Sequence, residues 1–550
     1  MYEHTNNIAE WISFQAKERP YQRALVFPET RDSMGRRAYT QMNFLQVESM
    51  INRFARGFQK KGIQKGDRVC VFVTLSLEFM PIVFALYKIG AIVVLIDPGM
   101  GRVGLLSCVQ RIAPVAMVAV PKAMIATVLF PAKFSSVRIK ITVGGGTWLW
   151  GGWNLLEVED KDDAPVAIET TLDDEASILF TSGSTGPAKG VRYTHRILDA
   201  QTRMIQEMYG IQGGEIDLPC FPLFGLFTLA QGMTVVIPDM DPTHPVQADP
   251  AVLVEAILEH GATSAFASPT LWKKIVRWCI ENKVRLPTLR RVLSAGAPIP
   301  PQLHRDFRLV LSEGVEVHTP YGATESLPVA SIASRAVLEE TESLTNEGMG
   351  TCVGHIAPNI DVAIIQISDQ AIETWNRELL LPQGSIGEIC VKGVVVTTEY
   401  KEEPEHTKAS KIYQQQDGSD TKEVWHRMGD VGYIDTEGRL WFCGRLKHRV
   451  VLSTGETVFP VQVEAIINLD PEIERSALVG VEGQAVIIIQ RKKLVTSNAE
   501  LSERVLANAK KHPKTQCVSK VLFHDNFPVD VRHNAKIDRP ALTVWAQNRV

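Results

Sequence analysis

At 550 residues the chain exceeds what one hydrophobic core supports, so two or more domains are expected. A hydrophobic content of 45% is ordinary for a globular protein, and a net charge of −4 gives no general attraction to nucleic acid or anionic lipid, so no nucleic-acid partner is expected. The eight cysteines include no Cys-x-x-Cys pair, which argues against a disulfide framework or zinc cluster and for free, buried thiols in a reducing compartment.

The first residues lack the positive and apolar regions of a secretion signal. The apolar stretch 69–97 is interrupted by Glu78, Pro81 and Lys88, short of the roughly 18 uninterrupted residues of a membrane span. A soluble, cytoplasmic chain without a transmembrane segment is expected.

In chain order, three-to-four spacing of apolar residues predicts helices over 7–17 and 44–61. A β-rich strand over 68–74, a helix over 79–89 and a buried strand over 91–96 follow, the order of a parallel α/β layer that recurs at 114–120. The stretch 144–153 holds three tryptophans among five glycines and reads as an irregular surface turn or a hydrophobic contact surface. An acidic connector over 157–175 leads to the apolar run 177–180.

That run delivers the chain into Thr181-Ser-Gly-Ser-Thr-Gly-Pro-Ala-Lys-Gly190. Glycines let backbone N–H groups converge, the hydroxyls add donors and Lys189 adds a charge, which together suit a polyphosphate. The Walker spacing is absent. A Ser/Gly linker is the alternative reading of this composition; the preceding strand and Lys189 favour phosphate.

Beyond the loop, a helix over 197–210 precedes an apolar segment, 219–227, broken by Pro222 and Gly225. Strands over 233–238, 264–267 and 289–294 alternate with helices over 251–260 and 270–281, repeating the α/β architecture. Short strands within 348–398 suggest a smaller β-rich unit, and the charged, Gln-rich stretch 401–423 a mobile loop. About 100 residues after Lys447, with a helix over 460–468, suffice for a small α+β domain. The predicted fold is α/β: a large N-terminal domain, 1–446, of two stacked α/β subdomains plus a β-rich subdomain at about 348–446, and a small mobile C-terminal domain, 447–550.

The glycine-rich loop, Tyr321-Gly-Ala-Thr-Glu325, Met428-Gly-Asp430, Gly444-Arg445 and the late Lys536, all in order along nearly the whole chain, resemble the adenylate-forming superfamily. That group comprises acyl-CoA synthetases, luciferases and peptide-synthetase adenylation domains. The resemblance implies that Thr181, Ser182, Ser184, Thr185 and Lys189 hold the β- and γ-phosphates of ATP. It implies that Gly296, Ala297 and Gly322 bring backbone close to the nucleotide, Tyr321 stacks on adenine and Thr324 meets the α-phosphate region. Glu325 would ligate Mg²⁺, Asp430 would bind both ribose hydroxyls, and Arg445 would reach ribose or phosphate. Lys536 would stabilise charge on the α-phosphate as the substrate carboxylate attacks.

Three departures stand out: Lys447-His448 at the hinge, Gly225 after Phe224 where acyl-CoA synthetases often carry a His, and Asn534-Ala-Lys536 around the catalytic lysine. With the neighbouring segments they make the chain similar to the β-lactone synthetases of bacterial long-chain olefin biosynthesis. The resemblance then implies a long-chain 2-alkyl-3-hydroxy acid as substrate, activated as its adenylate and closed to a β-lactone. Gly225, beside Phe224 in the substrate pocket, is expected to make room for the α-branch, and His448 is a candidate group titrating near neutral pH. A long-chain acyl-CoA synthetase is the alternative, and a non-catalytic sensor a third. Assembly with neighbouring pathway enzymes is a further expectation, with 144–153 and 401–423 as candidate contact sites.

Overall fold

The computed structural model describes residues 5–166, 168–181, 188–415, 422–492, 496–529 and 536–549. Two large sheets, a three-stranded sheet and a two-stranded one, Val450–Val451 with Thr457–Val458, organise them. A seven-stranded sheet runs Trp153–Asn154, Ile139–Thr142, Ala116–Ala119, Arg68–Phe72, Ile92–Ile96, Glu175–Thr181, Lys189–Thr194 from edge to edge. All neighbours are parallel except the last pair. The glycine-rich loop is therefore the connection of an antiparallel hairpin at one edge of this sheet.

Helix Phe44–Lys60 shows how the sequence drives the layers. Asn43 caps it and Gln46 returns the bond to the Asn43 backbone. Phe44, Val47, Ile51, Phe54 and Phe58 recur on one face and are buried in the core shared with helix Phe79–Lys88. Each large apolar side chain so buried contributes on the order of 1.5–3 kcal/mol.

The second large sheet has fourteen strands among the described residues. Its parallel part, Thr234–Val236, Ile216–Pro219, Ser264–Ala267 and Arg291–Ser294, continues through Glu316–Ala323 into antiparallel strands ending at Ile360–Ile365. The β-rich region is thus continuous with the second α/β layer, because Glu316–Ala323 pairs parallel with one neighbour and antiparallel with the other. At the far end sits a hairpin, Arg23–Arg31 with Arg37–Asn43, which helical spacing did not reveal.

Two expectations change. Residues 219–227 are not simply broken: helix Pro222–Ala230 starts at Pro222, whose missing N–H costs nothing at a first helical position, and Gly225 lies inside it. Within 401–423, helix Pro404–Ser410 and strand Lys411–Gln415 are ordered, the latter paired with Lys422–Ile434; residues 416–421 lie outside the described residues. The mobile-loop reading fails there because Lys411 and Ile412 are buried.

The last hundred residues form a separate three-stranded sheet, Ile473–Val481, Gln484–Arg491 and Val518–Phe523, flanked by Pro460–Ile467, Asn498–Ala509 and Arg539–Gln547. In the tryptophan-rich stretch, Trp150 is buried and donates to Thr142 Oγ1 at 2.9 Å, whereas Trp148 is 86% exposed. All eight cysteines are free. Among the described residues no helix is long and apolar enough to cross a membrane.

Candidate functional site

The two large sheets meet beside the glycine-rich loop. Tyr400 bridges Val191 in antiparallel fashion, and the Lys401 N–H donates to the Gly190 carbonyl at 2.7 Å. Lys401 Nζ pairs with Glu175 at 2.8 Å. Arg111 donates to the Ala188 carbonyl at 2.5 Å while paired with Glu403. The strand that leaves the loop, and Glu175 at the start of the strand that enters it, are thereby anchored to residues 399–403.

Of the loop itself, Ser182, Ser184 and Thr185 lie outside the described residues. Thr181 is placed by its backbone, opposite Lys189 in the hairpin register. The Lys189 ammonium stands 5.0 Å from the centre of the Tyr400 ring. Burial lowers its pKa; the Glu325 charge opposes that shift and Lys447 adds to it.

Glu325 lies at the tip of the hairpin Glu316–Ala323 and Ser326–Ala333. Its Oε1 accepts from the Tyr400 hydroxyl at 2.5 Å, and its carbonyl from the Thr397 N–H at 2.9 Å. The buried Tyr193 hydroxyl donates to the Thr324 carbonyl. At Gly322 a Cβ would lie 2.8 Å from the Ser326 carbonyl oxygen, so the turn closes only over glycine. Gly296 follows strand Arg291–Ser294 with φ of +100°, a left-handed backbone suited to glycine, and Ala297 beside it is half-buried.

Tyr321 donates from its hydroxyl to Asp430 Oδ2 at 2.7 Å. Asp430 and Arg445 face each other across neighbouring strands, with Arg445 Nη1 2.9 Å from Oδ1. That contact has ion-pair distance without hydrogen-bond geometry, so Oδ1 keeps acceptor capacity. Burial holds the Asp430 carboxyl above the usual carboxylate range, opposed by Arg445, by the Tyr321 bond and by the charge of Lys536. Lys536 is exposed, just before the bridge of Ile537 with Val529, and its charge bears on Asp430 from the small C-terminal unit. Lys189, Glu325, Asp430, Arg445 and Lys536 thus come together from three parts of the chain.

Two site expectations need correction. Gly225 opens no room for a substrate: a Cβ there would meet Met80 Cε at 2.5 Å and Pro219 Cγ at 3.3 Å, so the glycine serves close packing. Phe224 stacks on Phe266, ring centres 3.9 Å apart, within an aromatic cluster. His448 does not titrate near neutrality. Burial first, then Arg539 and Arg445, lower it to about 4, and neither ring nitrogen has a hydrogen-bond partner among the described residues. Exposed Lys447 adds to that cationic field.

Sequence reasoning missed Tyr400, Lys411 and Thr397. Lys411 is 1% exposed and donates to the Thr397 carbonyl at 2.5 Å and to its Oγ1 at 3.2 Å. Nothing in the charged run distinguishes it from Lys408, which is 55% exposed at its side chain.

Residues 12–401 match the family model described as AMP-binding enzyme. The chain is 42% identical to an olefin beta-lactone synthetase of Xanthomonas campestris pv. campestris, covering 99% of this chain and 98% of that protein. It is 40% identical to one of Stenotrophomonas maltophilia, covering 98% of each. Among solved structures, ATP-bound MatB from Rhodopseudomonas palustris has a TM-score of 0.77 at 21% identity, covering 99% of both chains, a likeness of fold. Since the family match spans most of its length, the chain belongs to the AMP-binding enzymes, a family of ATP-dependent, adenylate-forming catalysts.

Proposed function

We propose that the protein is a β-lactone synthetase acting on a long-chain 2-alkyl-3-hydroxy acid in olefin biosynthesis. Adenylation rests on one geometric fact: a buried carboxylate with a spare acceptor, Asp430, lies under the charges of Arg445 and Lys536 close to Glu325. The choice of lactone rests on the full-length similarity to olefin beta-lactone synthetases.

In the first step an oxygen of the substrate carboxylate attacks the α-phosphorus of ATP, the bond to pyrophosphate breaks, and an acyl-adenylate forms. Lys189 with Thr181, Ser182, Ser184 and Thr185 holds the departing phosphates. Tyr321, fixed through its hydroxyl to Asp430, presents its ring to adenine, with the backbone of Gly296, Ala297 and Gly322 alongside. Asp430 Oδ1 accepts from ribose, Arg445 reaches the same sugar, and Thr324 lies toward the α-phosphate. Lys536 neutralises charge on the equatorial oxygens as it builds, a stabilisation specific to the transition state.

The donor set suits Mg²⁺: Glu325 offers one carboxylate with an oxygen left over, and no cluster of three or more metal-ligating side chains occurs among the described residues. Mg²⁺ is commonly held by one or two carboxylates plus substrate phosphates, whose charge it offsets.

In the second step the substrate's own 3-hydroxyl oxygen attacks the acyl carbonyl, the bond to AMP breaks, the hydroxyl proton is released and a four-membered ring closes. Ring strain opposes this, but a held near-attack geometry offsets it by several kcal/mol, out of the roughly 7–11 kcal/mol available from proximity. With its pKa lowered to about 4, His448 is a poor acceptor for that proton at neutral pH.

The test is purified protein with Mg-ATP and the 2-alkyl-3-hydroxy acid, with and without coenzyme A, followed by AMP release and product mass. A CoA-independent product one water lighter than the acid is expected. A CoA thioester would replace the lactone reading with an acyl-CoA synthetase, and no AMP under any condition would overturn both.

A further inference from the structure

The Tyr400 ring has one ammonium on each of two contacts, Lys189 Nζ at 5.0 Å and Lys411 Nζ at 5.7 Å from its centre. Its hydroxyl ends on Glu325 Oε1 at 2.5 Å. Lys411 reaches the same glutamate by a second route: it holds the Thr397 carbonyl and hydroxyl, and the Thr397 N–H and Oγ1 both donate to the Glu325 carbonyl, at 2.9 and 3.2 Å. Tyr400 is 5% exposed, and Thr397 and Lys411 are fully buried. Glu325 is therefore gripped at its side chain by Tyr400 and at its main chain by Thr397.

We propose that Tyr400 and Lys411 are positioning residues for adenylation, fixing which oxygen of Glu325 faces a divalent cation and holding Lys189 beside it. The proposal rests on the adenylating reading of Glu325 and Lys189. Because the Tyr400 hydroxyl occupies Oε1, Oε2 is the oxygen left for a cation. An aromatic face attracts an ammonium without neutralising it, so Lys189 is steered while its charge remains available to phosphate. Two acceptors on Thr397 hold the Lys411 amine in place, and burial lowers its pKa to about 7.

The segment that carries these residues is itself braced. Thr407 Oγ1 accepts from the Tyr400 N–H at 3.0 Å, Lys401 pairs with Glu175, and Glu403 pairs with Arg111. Residues 397–411 thus transmit the position of the first sheet's edge strand to the carboxylate at the tip of a hairpin in the second. A fixed carboxylate spares the cation the ordering entropy of a free one.

The test is Tyr400→Phe in the full chain, which removes the hydroxyl and keeps the ring between both lysines, with Lys411→Met as a second variant. Three quantities are read: the magnesium dependence of ATP–pyrophosphate exchange, Mn²⁺ affinity in the presence of a non-hydrolysable ATP analogue, and the melting temperature. For Tyr400→Phe, the half-saturating magnesium concentration and the Mn²⁺ dissociation constant are expected to rise about 10-fold, the loss of one bond to a charged group. The rate at saturating magnesium should stay within about 3-fold and the melting temperature within about 4 °C. Lys411→Met, where it folds, should raise the same two constants. Unchanged metal dependence in Tyr400→Phe overturns the proposal, whether or not the melting temperature moves. A wild-type chain that binds no metal–nucleotide overturns the adenylating reading and this proposal with it; wild-type binding with an indistinguishable variant overturns this one alone.

Discussion

Tyr321 and Asp430 are joined by a 2.7 Å hydrogen bond from phenol to carboxylate, and burial raises the pKa of both groups. On the proposed reading, the tyrosine that would lie flat against adenine is thereby locked to the carboxylate that would meet the sugar. Tyr321→Phe leaves Asp430 Oδ2 without its donor. Loss of a bond to a charged group, about 1.5–3 kcal/mol, should raise the KM for ATP about 10-fold or more. Steady-state kinetics against ATP at saturating acid checks this.

Lys536 is exposed, so it contributes little to folding, yet its charge reaches Asp430. Lys536→Ala should lower ATP–pyrophosphate exchange by at least about 100-fold while leaving the melting temperature nearly unchanged. A large drop in melting temperature would make the residue structural.

Gly225 tests packing against pocket-making. Gly225→Ala drives a Cβ to 2.5 Å from Met80 Cε, the end of a flexible side chain, and should cost about 1 kcal/mol of stability. Combining it with Met80→Val should recover part of that loss in chemical denaturation. Preference among branched and unbranched acids should be unaltered by Gly225→Ala, as measured by relative kcat/KM.

His448 gives a pH signature. Its folded pKa, about 4, lies below the ordinary value of 6.5. The unfolded chain therefore takes up a proton first as pH falls, and the stability from burying the neutral ring, full above pH 6.5, is lost between pH 6.5 and 4. The slope is below about 1.4 kcal/mol per pH unit, because the ring is only partly buried. Denaturant titrations of wild type and His448→Gln across that range should diverge with this sign, while the pH profile of the rate between 6 and 8 should be alike.

Much of the candidate site was legible because its residues sit at turns after strands, where glycine, hydroxyl and charge stand out against apolar runs. The buried strand before the loop is present as the pattern at 177–180 predicts, while its antiparallel pairing with Lys189–Thr194 was not read from the sequence. Tyr400 and Lys411 were not legible, since their roles come from pairing between sheets more than 200 residues apart in sequence, Val191 with Tyr400. Lys411 stands in a run of charges, and burial of one lysine there depends on Thr397 and the strand partner His426, which no local spacing encodes. Pro222 misled for a local reason: proline breaks a helix in its middle and begins one at its first position. The hairpin at Arg23–Arg31 escaped because its apolar run, residues 24–27, is too short to declare a period.

The bridge between Val191 and Tyr400 has a consequence for the chain in solution. Strand Lys189–Thr194 closes one side of the seven-stranded sheet, where unpaired backbone groups would otherwise invite a strand from another molecule. Residues 399–401 cover part of that rim with their own backbone and with the charges of Glu399 and Lys401. The same short segment that holds Gly190 and Val191 therefore leaves less of that open edge for a strand of another molecule to pair with.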